Sequence, residues 1–314
     1  MKRLLFIYNP HAGKELLKPK LADVIDIFVK AGYEVTVHPT QAYRDAYYQI
    51  KEYEVGKYDL IACSGGDGTI DEVATGMMKR REMGKDVVPV GYIPAGTTND
   101  FAKSLHIPRK PLAAADNAVK GVPFPCDIGK FNDSVFVYIA AFGLFTDVSY
   151  ETNQDLKNIL GHAAYILEGT QRLFNIASYQ LKVETKDTSF EGDFIFGMVS
   201  NATSVGGFRK LTGPDVLLDD GVFEVLLIRR PKNILELNEI ITALLGGADT
   251  SNIESFKTSY LKITSETQIS WTLDGEFGGE HREVEIQNMN HAVNIILKKD
   301  EKVPLIQANT GNIK

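Results

Sequence analysis

The chain has 314 residues, enough for two domains of ordinary size. Hydrophobic residues make up 44% and charged residues 24%, which excludes a disordered chain, and a net charge of −7 argues against nucleic acid as the main partner. Two cysteines, Cys63 and Cys126, show neither metal-ligand spacing nor a disulfide framework, so reduced thiols in a cytoplasmic protein are expected. The apolar run 4–8 is too short for a signal-peptide core. The longest apolar stretch, 135–145, falls far below the roughly 20 residues that cross a bilayer, so no transmembrane segment is expected. Basic clusters at 79–81, 229–232 and 298–302 read as solvated surface charge.

In chain order, residues 4–8 form a continuous apolar run ended by Asn9-Pro10, the pattern of a strand buried on both faces. Leu21, Val24, Ile25 and Phe28 recur at helical spacing, and Gly32 closes that helix. A strand at 34–38, a polar helix at 42–53 and a strand at 59–63 follow. The next helix carries Ile70, Val73, Ala74 and Met77 on one face, and a fourth strand spans 87–93. Alternating strands and helices predict a doubly wound parallel sheet, whose ligands bind at the carboxyl ends of the strands. Beyond about residue 127 the pattern changes. A strand is expected at 136–139, a helix at 155–174, alternating strands around Tyr179 and Phe194, a strand at 221–230 and a helix at 233–245. Residues 261–273 and 284–297 are again strand-rich. The fold class is thus α/β plus all-β: an N-terminal nucleotide-binding α/β domain, 1–128, with segment 300–314 returning to it, and a β-sandwich domain, 129–299.

Three glycine-bearing loops should meet at the edge of the parallel sheet. Ser64-Gly65-Gly66-Asp67-Gly68-Thr69 follows a buried strand and opens a helix, so its amides can approach a phosphate and the helix terminus favours the negative charge. Asp67 would repel that phosphate unless it holds a metal or meets an acceptor hydroxyl. Pro94-Ala95-Gly96-Thr97-Thr98-Asn99-Asp100 follows the next strand and offers Gly96, hydroxyls and a second carboxylate, Asp100. Asn9-Pro10-His11-Ala12-Gly13 follows the first strand. Each loop alone also reads as a tight turn or helix cap. No Gly-Lys-Ser/Thr follows the glycines, so this is not a P-loop, and the dinucleotide fingerprint is absent too.

Taken in order, these motifs resemble the soluble diacylglycerol kinase catalytic family, which includes sphingosine and ceramide kinases, and the resemblance covers nearly the whole chain. It implies an ATP-binding α/β domain, a C-terminal β-sandwich and an active site between them. Gly13, Gly65, Gly66, Gly68, Thr69, Gly96 and Thr97 would line the nucleotide, with Thr40 in contact and Glu72 assisting. Leu273-Asp274-Gly275-Glu276 resembles the segment carrying the general base, making Glu276 the proton acceptor and Asp274 its helper. Pro214-Asp215-Val216-Leu217-Leu218-Asp219-Asp220-Gly221 resembles a structural magnesium turn, with the Asp220 carboxylate and the carbonyls of Leu217 and Val222 as ligands; a plain Asp-Gly turn is the alternative. Asp127 would join a carboxylate network with Asp67 and Asp100. Asp71 departs from the pattern, replacing an asparagine often found there, and could weaken an amide contact to nucleotide.

What the resemblance implies is an ATP- and Mg2+-dependent kinase that phosphorylates a lipid hydroxyl, with diacylglycerol converted to phosphatidic acid. Other lipid alcohols, an NAD kinase-like activity or an inactive nucleotide-binding protein are the alternatives. Such a protein would be cytoplasmic and peripheral at the membrane surface, and a homodimer is allowed. Apolar segments 138–145 and 165–174 are candidates for an acyl-chain path, with ordinary core as the plainer reading.

Overall fold

The structure, a computed structural model, describes residues 1–13, 17–144, 177–202, 216–244 and 249–298. The helix expected at 155–174, the segment 300–314 and Pro214-Asp215 lie outside the described residues.

The first half is built as its alternation predicts. Strand β1 (Lys2–Tyr8) leads through helix α1 (Leu21–Lys30) to β2 (Tyr33–Pro39). Helix α2 (Asp45–Glu52) is shorter than expected because Arg44 adopts a left-handed conformation, φ 64°, just before it. Strand β3 (Leu60–Gly65), helix α3 (Asp67–Glu82), strand β4 (Val90–Pro94) and helices α4 (Asp100–Ser104) and α5 (Pro111–Lys120) complete the unit. β3 and β4 are buried along their whole length, as continuous apolar runs require. The parallel order is β2-β1-β3-β4, so the direction of winding reverses between β1 and β3. A crevice opens at such a reversal, beyond the carboxyl ends of those strands. The loops starting at Asn9 and Gly66 leave those two ends.

The second half is antiparallel. Strand β5 (Val122–Phe131) leads into β6 (Ser134–Phe136) and β7 (Ile139–Gly143). The single strand expected at 136–139 is therefore broken at Val137 and Tyr138. Their N–H groups are drawn off the ladder to the Asp274 carboxylate at 2.6 and 3.0 Å. β8 (Tyr179–Glu184), β9 (Ser189–Ser200), β10 (Phe223–Arg229), α6 (Ile234–Leu244), β11 (Ile253–Thr258), β12 (Tyr260–Leu273) and β13 (Glu276–Leu297) follow. The long strands β9 and β12 each pair with β7 at one end and β8 at the other, wrapping an apolar interior. Trp271 and Phe142 meet there with ring centroids 4.8 Å apart, and Phe131, Phe194 and Phe223 fill the rest. A separate core fills the α/β layer from Leu4, Phe6, Ile61 and Met77.

β13 joins the two halves. Its first part pairs with β12, and its end pairs with β5 and, at Ile295, in parallel with Val90 of β4. The chain thus returns to the first layer by residue 297. One continuous set of strands fixes the β12–β13 turn relative to the parallel sheet, which matters for the site.

Candidate active site

Short backbone bonds lace the sheet-edge loops together. Asn9 N–H donates to the Ser64 carbonyl (2.8 Å), Thr40 N–H to Tyr8 (2.9 Å) and Ala95 N–H to Gly65 (2.8 Å). Glycine is required where these loops touch. A Cβ on Gly13, which has φ +52°, would sit 2.3 Å from the Ala95 carbonyl oxygen, and one on Gly96 would sit 2.6 Å from Gly66 Cα. Asn99 then holds the Gly96 peptide from both sides. Its Oδ1 accepts from Gly96 N–H (2.9 Å) and its Nδ2 donates to the Gly96 carbonyl (2.6 Å). Asn99 stands at the cap position of α4, yet its side chain makes no bond to that helix and clamps the loop instead.

The result is an open cleft of about 440 Å³. Of the expected nucleotide residues, Asn9, His11, Ala12, Gly13, Thr40, Gly66, Gly68, Thr69, Glu72 and Gly96 line it. So does Glu276, from the other half of the molecule. Pro10, Gly65, Asp67 and Thr97 are not on its wall; Gly65 is buried behind it and Thr97 is exposed. α3 begins at the cleft with Gly66 as its cap residue, a glycine that has no side chain to cap that end; the Thr69 N–H turns back to the Gly66 carbonyl at 3.0 Å. The first N–H groups of a helix have no partner within it, so this terminus presents donors and a positive dipole end to an anion. Glu72 is on the wall, but its oxygens accept N–H groups from Arg44 (2.7 Å) and Ala46 (3.1 Å), which anchors the start of α2.

Glu276 reaches the Gly66–Gly68 loop from a β-hairpin. Asp274 and Gly275, at φ 51° and 87°, form the two-residue turn between β12 and β13, where Asp-Gly is a favoured pair. Asp274 is buried and accepts three backbone N–H groups, from Val137, Tyr138 and Ile139. Its own N–H returns to the Ile139 carbonyl at 2.9 Å. So fixed, the turn places Glu276 at the glycine loop: a Cβ on Gly68 would lie 2.8 Å from Glu276 Oε1. A carboxylate from the second half of the chain therefore stands against the glycine loop that opens α3.

Asp67 turns away from the cleft wall. Its carboxylate accepts the N–H groups of Asp100 (3.2 Å) and Phe101 (3.4 Å) at the start of α4. Burial, and then the Asp100 carboxylate, push it up to about 6. Asp100 is buried and paired with Lys103 at 2.8 Å. Tyr138, buried between the halves, feels Asp67, Asp274 and Asp100 together; burial first and these charges next raise its hydroxyl well above the usual range. Asp127 is bonded elsewhere. It accepts N–H groups from Gly221 (2.7 Å) and His291 (2.8 Å) and the Asn290 amide (2.9 Å), clasping the 216–222 turn. At that turn Asp220 accepts the Val222 N–H (3.2 Å) and lies 3.7 Å from the Lys257 ammonium, which also reaches Glu224 at 3.0 Å. The Leu217 side chain is exposed. Among the described residues, no group of three or more His, Cys, Asp or Glu side chains could by itself hold a metal ion.

The sequence reading missed Gln41, Ala42 and Tyr43 on the cleft wall. They follow the carboxyl end of β2, so the sheet-edge rule applied to all four strands would have found them. Asp71 faces the Asp274 carboxyl, and it is not on the cleft wall.

Known proteins carry the same assembly. The family model of the diacylglycerol kinase catalytic domain matches residues 3–131, and that of the YegS C-terminal NAD kinase beta sandwich-like domain matches 140–297. A diacylglycerol kinase of Bacillus subtilis (strain 168) is 37% identical, the alignment covering 96% of this chain and 98% of the relative. One of Staphylococcus epidermidis is 35% identical over 95% of this chain and 93% of its own. The chain belongs to the diacylglycerol kinase family. It is a lipid kinase, a phosphotransferase with an alcohol acceptor. A crystal structure of a diacylglycerol kinase from Bacillus anthracis str. Sterne superposes on this kinase with a TM-score of 0.72 at 22% identity, covering 95% of this chain and 97% of that one, which supports the two-part fold. No helix among the described residues of the kinase is long and apolar enough to cross a membrane.

Proposed function

We propose that this lipid kinase transfers the γ-phosphoryl group of ATP to the free hydroxyl of diacylglycerol, giving phosphatidic acid. The observation that carries the reading is the approach of the Glu276 carboxylate to Gly68, the two coming from different halves of the chain. The glycine loops suit a triphosphate because they pack so closely that a Cβ on Gly13 or Gly96 would strike the backbone of the neighbouring loop, which leaves main-chain amides at the cleft edge. The amides at the start of α3 hold those oxygens. Glu276 accepts the hydroxyl proton while the acceptor oxygen bonds to the γ-phosphorus and the bridging bond to ADP breaks. Asp274 positions Glu276 through the hairpin turn and stays off the substrate.

Magnesium, when bound with the nucleotide, supplies positive charge to the phosphate oxygens. Asp67, with the Asp100 carboxylate next to it, would be the acidic pair to meet it, directly or through water. A second divalent ion would take Asp220 and the carbonyls of Leu217 and Val222. The 216–222 turn carries Asp219 and Asp220, and the Lys257 ammonium stands 3.7 Å from Asp220 while it pairs with Glu224 of β10. Action from the cytoplasmic membrane surface belongs to the same reading.

The test is labelled ATP with a panel of dispersed lipids (diacylglycerol, ceramide, sphingosine, undecaprenol and phosphatidylglycerol) and, separately, NAD. Label should enter diacylglycerol at least tenfold faster than any other acceptor. Preferential labelling of NAD, or no transfer to any lipid, would reject the proposal.

A further inference from the structure

One buried carboxyl contact is left unused by the mechanism. Asp71 lies on α3 four residues beyond Asp67, so both project from one face of the helix. Its side chain meets the Asp274 carboxyl across the boundary between the two halves. Asp71 Oδ1 is shut off from solvent and finds no hydrogen-bond donor. Asp274 is different, since both its oxygens are filled by three backbone N–H groups. Two ionised carboxylates in such a contact would repel at low dielectric, and a neutral acid next to an anion removes the conflict. The donors already on Asp274 mark it as the anion. The proton therefore belongs to Asp71.

We infer that Asp71 is a protonated acid that donates a hydrogen bond to the Asp274 carboxylate, and so acts as a positioning residue that ties the Glu276 hairpin to the helix carrying the phosphate loop. The inference rests on the proposed role of Glu276 for its kinetic consequence. Its physical part is independent of the acceptor lipid. Burial first, and then Asp274, Glu276 and Glu72, hold the Asp71 carboxyl well above the usual carboxylate range. From every side the facing groups are Glu72 on the same helix, Asp274 and Glu276 on the hairpin, Tyr43 before α2, and Tyr138 against Asp274. Loss of the shared proton leaves two adjacent anions in that setting. The hairpin is then pushed from α3 and Glu276 from Gly68.

Asp71→Asn is the discriminating variant, because its amide donates the same bond at every pH. Wild-type kcat should fall at least fivefold on the alkaline side between pH 6 and 9.5. Asp71→Asn should carry its turnover through that range, and Asp71→Ala should stay about tenfold below the wild-type value at pH 6 with little dependence on pH and the KM for ATP unchanged. Thermal unfolding gives a readout without lipid. The wild-type contribution is full below the unfolded Asp value of about 4 and is lost as pH rises toward the folded titration, so the Tm of Asp71→Asn should gain on that of the wild type over that range. Superimposable pH–Tm and pH–kcat curves for wild type and Asp71→Asn would overturn the inference, as would full turnover by Asp71→Ala. A fully active Glu276→Ala with the Tm difference intact would instead reject the role of Glu276 and leave the shared proton standing.

Discussion

The two walls of the cleft are made of different material. The α/β wall is rich in backbone: glycine loops and the start of α3 meet there, laced by main-chain bonds, with side chains such as Thr40 and Glu72 between them. The β wall contributes one carboxylate on a two-residue hairpin held by buried polar bonds. Peptide amides cannot be deleted by changing a side chain, but they are easily blocked by adding one. A lone carboxylate is the reverse, tolerant of crowding and abolished by truncation. Each wall therefore has its own way to fail. Glu276→Ala should lower kcat by 10³-fold or more, within the 10²- to 10⁴-fold range of a general base. Its affinity for ATP, measured by calorimetry, should stay within threefold of the wild type. Asp67→Ala should likewise abolish transfer with the fold intact by circular dichroism.

The peptide wall should break through binding. In Gly96→Ala the new methyl meets backbone, Gly66 Cα at 2.6 Å, and the Asn99 Oδ1 at 2.9 Å, neither of which can move without opening the loop. The KM for ATP should rise 10- to 100-fold, with about 1–3 kcal/mol lost from stability as for other overpacked sites. An unchanged KM would place the triphosphate elsewhere.

This contrast also explains what could be read in advance. The parallel layer was legible because each element declares itself locally: an apolar run, a glycine turn, then a helix face from Ile70 to Met77. The glycine loops that meet at the cleft were legible because glycine at a strand end marks a close approach of backbone. The β half was harder. Val137 and Tyr138 read as strand because they are apolar, and only the distant Asp274 takes their amides out of the ladder. Asp127 could be placed among acidic residues by order along the chain, but its partners Gly221, Asn290 and His291 lie 94 to 164 residues away. Asp71 looked like a change at the nucleotide, and the hairpin it touches is 203 residues later. Long-range polar bonds are set by topology, which local periodicity does not encode.

The acidic 216–222 turn separates the two walls in another way, since it belongs to neither. If a divalent ion is held at Asp220, removing it should lower Tm by several degrees, the size expected for a ligand well above its Kd in a protein of this length. Dialysis against EDTA and return of Mg2+ followed by scanning calorimetry would show it, and Asp220→Asn should lose the response. An identical Tm with and without metal would leave a plain Asp-Gly turn braced by Lys257.

The smallest effect probes the boundary itself, at Asp67. Its carboxyl is raised from 3.8 to about 6, so the folded protein keeps a proton there that the unfolded chain has released. The stability this confers is complete below about pH 4 and is lost as pH climbs to about 6, after which it changes no further. At about 1.4 kcal/mol per pH unit the whole loss is at most about 3 kcal/mol. Asp67→Asn has no such proton and can still accept the Asp100 N–H. Urea unfolding in EDTA at pH 4, 6 and 8 should therefore show the variant gaining on the wild type by about 2 kcal/mol between the first two and by almost nothing between the last two. A gain that continued to pH 8 would mean the relevant acid titrates higher, as the Asp71–Asp274 pair does. A flat difference would mean that Asp67 is ionised throughout, its charge already answered by the amides of α4.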